Sequence, residues 1–363
     1  MVNQSKRVLY ALRSRIIRGE YVPGSRLPSF TELEKQYRAG RTVIQQAISE
    51  LKADGFVTSR PRQGLYIHPL PPHLGRYALV FPCLPNHPQW SGFHSAIWQE
   101  AQRLEKSNSH IHFDFYHGIN DERLGGKVLA SVLKQVESQR MAGLILLPET
   151  HDVAEHATVT ASRIPMVIVD GDYGKTPRPQ ICTDMSMMFK RALHWFKHKG
   201  RKRVAMVCMA DTFTWLTPSH FQQNEITYRK AWVQRIGRSH PQTIDAVIHL
   251  LMDYPPGKRP DGLFIADDNL APLTLEALSQ LGHEIGKDLD VVVHSNWPCP
   301  VKCTLPIERI GFHSGQLLRG CLDVLSTANH QLARDKVMRI PAYLSSEIKQ
   351  EDWKSAELPF DLL

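Results

Sequence analysis

Three prolines within four residues, Pro69-Leu70-Pro71-Pro72, cut the chain into two stretches whose apolar residues repeat differently. Proline fixes φ and has no amide proton, so neither a helix nor a strand ladder runs through such a segment, and 69–75 reads as a semi-rigid spacer. At 363 residues the chain is also too long for one core, because single cores rarely grow past about 250 to 300 residues. The expected organisation is a head over 1–68, a Pro-rich linker over 69–75, a large domain over 76–345 and a C-terminal tail over 346–363.

In the head, Val8, Leu9, Leu12, Ile16 and Ile17 recur at helical spacing and predict a helix over 4–18. Ser29, with Glu32 three residues later, is a capping box that starts a second helix running to about Tyr37. A third helix starts near Gly40 and places Ile44, Ala47, Ile48 and Leu51 on one stripe, which leaves Arg41, Thr42, Gln45 and Ser49 facing outward. Asp54-Gly55 ends it, and two β-prone runs, 56–59 and 65–67, flank the basic tip Arg60-Pro61-Arg62-Gln63-Gly64. Three helices and a hairpin make a winged helix-turn-helix, in which helix three can enter the major groove and the wing can reach the backbone or the minor groove. The charge agrees. Residues 1–68 hold twelve Lys and Arg against five acids, a surplus of +7, while the other 295 residues carry only +1 of the total of +8. A surplus so concentrated is the footprint of a phosphate-binding module, although a solvated basic face gives the same count.

This head resembles the GntR family of bacterial regulators. The resemblance rests on Pro23-Gly24-Ser25-Arg26-Leu27-Pro28-Ser29, on Gly40-Arg41-Thr42-Val43-Ile44-Gln45-Gln46-Ala47-Ile48, and on Gly55 with Gly64. It implies that Arg41, Thr42 and Gln45 contact DNA and that Gly64 lets the wing approach it. The full expected DNA-binding set is Ser29, Thr31, Arg41, Thr42, Gln45, Gln46, Arg62, Gln63 and Gly64. Three positions depart from the family pattern: Gly40 replaces a capping serine, Gln45 an arginine, and Thr31 a further DNA-facing arginine in many members. Gln45 can still read adenine bidentately through its amide.

Beyond the prolines, short hydrophobic runs such as 77–82, 111–116, 143–147, 165–170, 203–209, 262–266 and 291–294 alternate with helical patterns, which predicts a parallel α/β sheet with ligands outside the carboxyl ends of its strands. The fold class is therefore multidomain α/β: a winged helix-turn-helix followed by an α/β/α domain. The wording of the segments is similar to the effector domain of the LacI/GalR family, two-lobed like periplasmic binding proteins. It includes Asn86-His87-Pro88-Gln89-Trp90, Val167-Ile168-Val169-Asp170, His198-Lys199-Gly200-Arg201-Lys202-Arg203-Val204-Ala205, and Arg259-Pro260-Asp261-Gly262-Leu263-Phe264-Ile265-Ala266-Asp267-Asp268. A GntR head on such a domain is similar to the arabinose-repressor subgroup. The resemblance implies a ligand in the cleft between two lobes, with Trp90, Asp170, Asp267 and Asn296 lining it, whose binding reorients the DNA-binding heads; release of DNA is expected ahead of recruitment. Asp170 and Asp267 have a competing role as caps of strand-to-helix junctions, and Trp215 can be either pocket wall or packing. Tyr228 aligns with a ligand-gripping arginine at the start of a second-lobe helix, and Val293-His294-Ser295-Asn296 lacks a carboxylate usual there, so the effector, expected to be a sugar, is not bound in the family's common way.

Other classes fit less well. The six cysteines lie mostly in apolar stretches and read as reduced core residues; Cys299 and Cys303 lack a second ligand pair with zinc-like spacing, so no metal is expected. No apolar run approaches the roughly 20 residues that span a bilayer, and the first 18 residues lack a signal-peptide core, so a cytoplasmic protein without membrane contact is expected. There is no P-loop, nucleophile elbow or His-Glu-x-x-His, so neither an enzyme nor a cofactor is expected. The expected partners are operator DNA, a small-molecule effector and a second copy, a homodimer on a palindromic site. A large domain that binds protein rather than a small ligand remains the alternative.

Overall fold

In the computed structural model, the residues described are 4–170, 178–237, 240–255, 257–326 and 337–348. The tail expected over 346–363 therefore lies outside the described residues from 349 onward. The head forms α1 (Gln4–Ile17), α2 (Phe30–Tyr37), α3 (Arg41–Ala53), β1 (Val57–Arg60) and β2 (Gly64–Ile67). Helix α2 begins where its cap dictates: the Glu32 N–H donates to Ser29 Oγ at 3.3 Å, and the Ser29 N–H donates back to Glu32 Oε2 at 2.7 Å. Helix α3 buries Ile44, Ala47, Ile48 and Leu51 against Val8, Leu9, Leu12 and Ile16 of α1 and against Leu33 of α2. Each Leu or Ile so enclosed contributes about 1.5–3 kcal/mol, enough together to fix the rotation of α3 about its axis. Gly55, at φ +80°, turns the chain out of α3 as a left-handed residue that carries no Cβ penalty. The hairpin pairs antiparallel, Val57 opposite Ile67 and Arg60 opposite Gly64.

The segment read as a spacer is packed. Pro71-Pro72 opens a short helix, α4 (Pro72–Gly75), with Pro72 and Gly75 buried. A Cβ placed on Gly55 would lie 3.4 Å from Pro72 Cγ, and the His73 ring stacks on Phe56 with centroids 5.8 Å apart and planes at 12°. A Cβ on Gly75 would come within 2.2 Å of the His110 carbonyl oxygen, so only glycine fits where the connector meets the strand that follows. Proline supplies stiffness, and here the stiff segment covers the open end of the head core.

After α4 the chain runs through β3 (Arg76–Val80), α5 (Gly92–Ser107), β4 (His112–Tyr116), α6 (Gly125–Glu137), β5 (Gly143–Leu146), α7 (Asp152–Glu155), α8 (Ala157–Ser162), β6 (Met166–Val169), β7 (Gln180–Thr183), α9 (Met185–His198) and β8 (Val204–Met209). It continues through α10 (Pro218–Gln222), β9 (Val233–Ile236), α11 (Ile244–Met252), β10 (Gly262–Ile265), α12 (Ala271–Gln280), β11 (Asp290–Trp297), β12 (Glu308–His313), α13 (Ser314–Ser326), β13 (Val337–Ile340) and β14 (Tyr343–Leu344). Two six-stranded sheets result, ordered β13-β7-β6-β5-β3-β4 and β14-β12-β11-β10-β8-β9. The central strands are buried on both faces, as in Gly143–Leu146 and Gly262–Ile265, which is why they read as continuous apolar runs. In the second sheet only β14 runs antiparallel to its neighbour. By contacts the chain divides into two compact units: 1–82 groups with 104–168, and 83–103 groups with 169–326. Among the described residues no helix is long and apolar enough to cross a membrane.

One expectation needs correction. No helix starts at Tyr228; the chain there is irregular, then forms a 3-10 turn, Lys230–Trp232, and enters β9. Trp232 is buried in the second-sheet core and Arg229 lies 4.7 Å from its ring centroid, so an aromatic anchor and the β-branched Val233 and Ile236 draw the segment into the sheet edge. Tyr228 instead packs on Phe221 of α10 at 5.3 Å.

Burial pushes His73 down to about 4, below its ordinary value of 6.5, so the folded protein keeps the ring neutral. The unfolded chain protonates first as pH falls, so the contribution of His73 to stability is full above about pH 6.5 and is lost on the way down to pH 4. His73→Phe, which keeps the stack on Phe56, should flatten the pH dependence of denaturation midpoints across that window. An unchanged slope would contradict this placement.

Candidate functional site

In the head, the buried stripe of α3 leaves Arg41, Thr42, Gln45 and Gln46 exposed on its first two turns, with Ser49 continuing the row. Gly40 is the N-cap and offers no side-chain cap, so the first turn of α3 presents its amides outward. The Arg41 guanidinium lies over the Phe30 ring at 4.4 Å and donates to Glu34 Oε1 at 3.2 Å. An exposed pair of this kind is worth about 0–1 kcal/mol, so an anion can take Arg41 from Glu34 at little cost. Ser29 and Thr31 are exposed at the start of α2, the Ser29 hydroxyl being engaged in the capping box.

At the wing, residues 59–64 are exposed, Arg62 adopts φ +60° and Gly64 φ +108°. Glycine at 64 brings the Arg26 guanidinium to within 3.5 Å of where a Cβ would stand. Arg26 belongs to a third, short edge of the hairpin: the Leu27 N–H donates to Leu65 O and the Ile67 N–H to Ser25 O, both at 2.9 Å. Arg60 covers the Tyr66 ring at 4.1 Å. Arg26 and Arg60 thus join Arg62 and Gln63 as candidates. The sequence places Arg26 inside the Pro-Gly-Ser-Arg-Leu-Pro-Ser motif, but its position beside the wing depends on a pairing across some forty residues.

The candidates for a small ligand fall into three groups. Asp267 and Asn296 share the carboxyl ends of β10 and β11. Asp267 Oδ1 caps the turn Asp268–Leu270 by accepting from the Asn269 N–H at 2.9 Å and from Asn269 Nδ2 at 2.7 Å. Asn296 is 1% exposed and donates from Nδ2 to Asp268 Oδ2 at 2.8 Å. Trp90 stands two residues before Gly92, the first residue of α5; a Cβ on Gly92 would sit 2.2 Å from Asp268 Oδ2, and the Gly92 N–H donates to Asn269 Oδ1 at 3.2 Å. The Trp90 Nε1–H donates to Ser95 Oγ at 2.8 Å and the ring meets Trp98 edge-on at 6.2 Å. The second group is aromatic: Trp215, 39% exposed, meets Phe189 edge-on at 5.7 Å and His220 at 5.2 Å, and Phe189 meets Phe221, the partner of Tyr228, at 5.4 Å. Asp170 forms the third. It has φ +47°, and its Oδ1 accepts from the Thr183 N–H at 2.6 Å and from its hydroxyl at 3.0 Å, bracing β7.

Asp268 and His294 are the polar residues that the sequence reading missed. Burial raises the Asp268 carboxyl above the usual carboxylate range, with the positive influence of His294 opposing it to a smaller extent. Both ring nitrogens of His294 are enclosed without a hydrogen-bond partner, its ring edge-on to Phe312 at 5.8 Å. Two adjacent aspartates gave a signal, but only the 3-10 turn decides which carboxylate points inward.

Because the folded state holds Asp268 protonated to a higher pH than the unfolded chain does, its contribution favours folding at low pH and fades as pH rises through the folded value. Asp268→Asn should therefore raise the melting temperature at pH 8, with the gain closing towards pH 4. Asp268→Leu, which strands the Asn296 amide, should lower stability by about 1–3 kcal/mol at both. Equal melting of wild type and the Asn variant at pH 8 would contradict a raised carboxyl.

The family model described as bacterial regulatory proteins, gntR family, matches residues 4–67. Over 58 residues the chain is 43% identical to the uncharacterized HTH-type transcriptional regulator YieP of Escherichia coli K12, covering 16% of this chain and 25% of that protein. Over 68 residues it is 29% identical to the galactonate operon transcriptional repressor of the same organism, covering 19% of this chain and 30% of the relative. The likeness to these curated relatives thus spans under a third of their own length. A crystal structure of a LacI family transcriptional regulator from Lactobacillus casei with bound glucose superposes with a TM-score of 0.51 at 17% identity, covering 74% of this chain and 97% of that one. The chain therefore begins with a GntR-family helix-turn-helix domain and continues as a two-sheet parallel α/β domain with the fold of LacI-type regulators.

Proposed function

We propose that the protein is a sequence-specific DNA-binding transcription regulator, acting in the cytoplasm as a repressor, whose operator affinity is set by a small molecule, a sugar, held by its α/β domain. The observation that carries the reading is the exposed row Arg41, Thr42, Gln45 and Gln46 on the first two turns of α3, in the same head as a wing bearing Arg60 and Arg62 with Arg26 beside it. An α-helix fits the major groove, where Gln45 can pair bidentately with adenine and Arg41 with guanine or a phosphate. The wing arginines and the amides of the first turn of α3 suit phosphates. A homodimer on a two-fold operator follows from the usual match of protein and operator symmetry.

The effector half has separate support. Asp267, Asp268 and Asn296 gather at the carboxyl ends of β10 and β11, where open α/β sheets take ligands, and Trp90 lies two residues from the glycine that touches Asp268. Such a set can exchange hydrogen bonds with hydroxyls and offer an aromatic face. The L. casei relative holds glucose, and the galactonate relative is a repressor.

In a mobility-shift titration on a duplex selected by the wild-type protein, Arg41→Ala should weaken binding by about 1–3 kcal/mol, roughly 5- to 150-fold. Unchanged affinity would remove α3 as the reading helix. For the effector, one class of sugar should stabilise the protein by about 2.7 kcal/mol at 100 times its dissociation constant. A screen in which no sugar shifts the melting temperature would overturn that half.

A further inference from the structure

Asp54 ends α3 and is held from two directions. Its backbone N–H returns to Glu50 O at 2.8 Å, so the residue is the cap of the helix itself. Its Oδ2 accepts from Nη2 of Arg13 in α1, and its Oδ1 accepts from Nη1 of Arg140 at 2.6 Å. Arg140 lies between α6 and β5, outside the head, with its own N–H donating to Gln135 O at 3.1 Å. The Arg13 side chain is 3% exposed and Asp54 17%, and the Nε of both arginines is buried without an acceptor. Both guanidinium groups therefore share one carboxylate, Arg13 lying also over the Phe56 ring at 5.4 Å, and that carboxylate belongs to the C-cap of the helix whose first turns face the proposed DNA. Close by, Pro72 covers Gly55 and His73 stacks on Phe56, so the connector is clamped against the same end of α3.

We infer that the Arg13–Asp54–Arg140 triad is a latch that fixes the orientation of α3 relative to the first sheet, with Arg140 the positioning residue through which the α/β domain aims the DNA-reading helix. Arg13 completes the head's own share of the contact, and Arg140 alone comes from outside it. Removing Arg140 leaves Arg13 on Asp54, the head core and the packed connector in place, and takes away the charged contact that reaches Asp54 from outside the head. The orientation role rests on the proposed DNA reading; the mechanical hold does not.

Limited chymotrypsin digestion of the full chain tests the hold without DNA, because Leu70, Leu74 and Tyr77 lie in or beside the connector. Arg140→Ala should speed cleavage there by about tenfold or more, as expected when a closed segment opens more often. Arg140→Lys, which keeps the charge and loses the planar fork, should fall between. Asp114→Ala, which breaks the neighbouring exposed Arg76–Asp114 pair, should leave the rate near wild type. Circular dichroism of each variant confirms that it is folded, and wild-type cleavage rates in folded Arg140→Ala and Arg140→Lys would overturn the latch. On duplexes selected by the wild-type protein and rebuilt with half-sites moved apart by single base pairs, wild type should prefer one spacing and Arg140→Ala should flatten that preference. A variant that loses affinity equally at all spacings contradicts the orientation role. If the wild type selects no duplex, the DNA reading fails while the digestion result still decides the latch.

Discussion

The stripe Ile44, Ala47, Ile48 and Leu51 decides what the head can do. Buried against α1 and α2, these four side chains leave α3 one way to sit, and its other face follows from helical geometry rather than from any separate choice. Arg41, Thr42, Gln45 and Gln46 are exposed because the residues between them are buried. The cap of α2 and the turn at Gly55 place α3 and the hairpin about this core, so the row on α3 and the arginines of the wing are carried on one rigid frame. None of these polar residues has to be held by a strong bond of its own; the weak pair of Arg41 with Glu34 leaves the guanidinium available to a competing anion.

The connector changes what the two-part organisation means physically. Proline-rich chain in water is an extended spacer, and three prolines with no apolar surface to cover would have been one. Here Phe56 and Gly55 expose the end of the head core, and Pro72 and His73 close it, with Gly75 allowing the chain to pass the His110 carbonyl. The burial that makes this closure favourable also keeps His73 neutral. One stretch of chain thus ends the hairpin, seals a core and enters β3, and the Asp54 carboxylate lies where these pieces meet the loop that carries Arg140. A change at Arg140 can therefore reach the end of α3 across a single carboxylate.

The head was legible almost residue by residue because its signals are local: a capping box, a 3.6-residue stripe, a left-handed glycine and a two-strand hairpin each lie within about a dozen residues. The parallel strands were legible as apolar runs, since burial on both faces erases alternation. What escaped depended on distant pairing. Arg26 reaches the wing through Leu65 and Ile67, and the 228–236 segment is a sheet edge because Trp232 has a core to enter. The apolar run Ile244–Met252, a helix of the second-sheet core, went unread beside the stronger strand signals. Around the candidate ligand residues the polar side chains are legible as types, but which of Asp267 and Asp268 turns inward is set by one 3-10 turn, and Asp170 braces Thr183 through a backbone conformation that no spacing rule foretells.

The central claim is that a basic head meets a polyanion through contacts built into its fold. The slope of the logarithm of DNA affinity against the logarithm of salt concentration measures those contacts directly, at about −0.9 for each phosphate neutralised on duplex DNA. With a surplus of +7 confined to residues 1–68, the account predicts a slope of about −3 or steeper for the full chain. A slope near zero, with binding unaffected by salt, would contradict it.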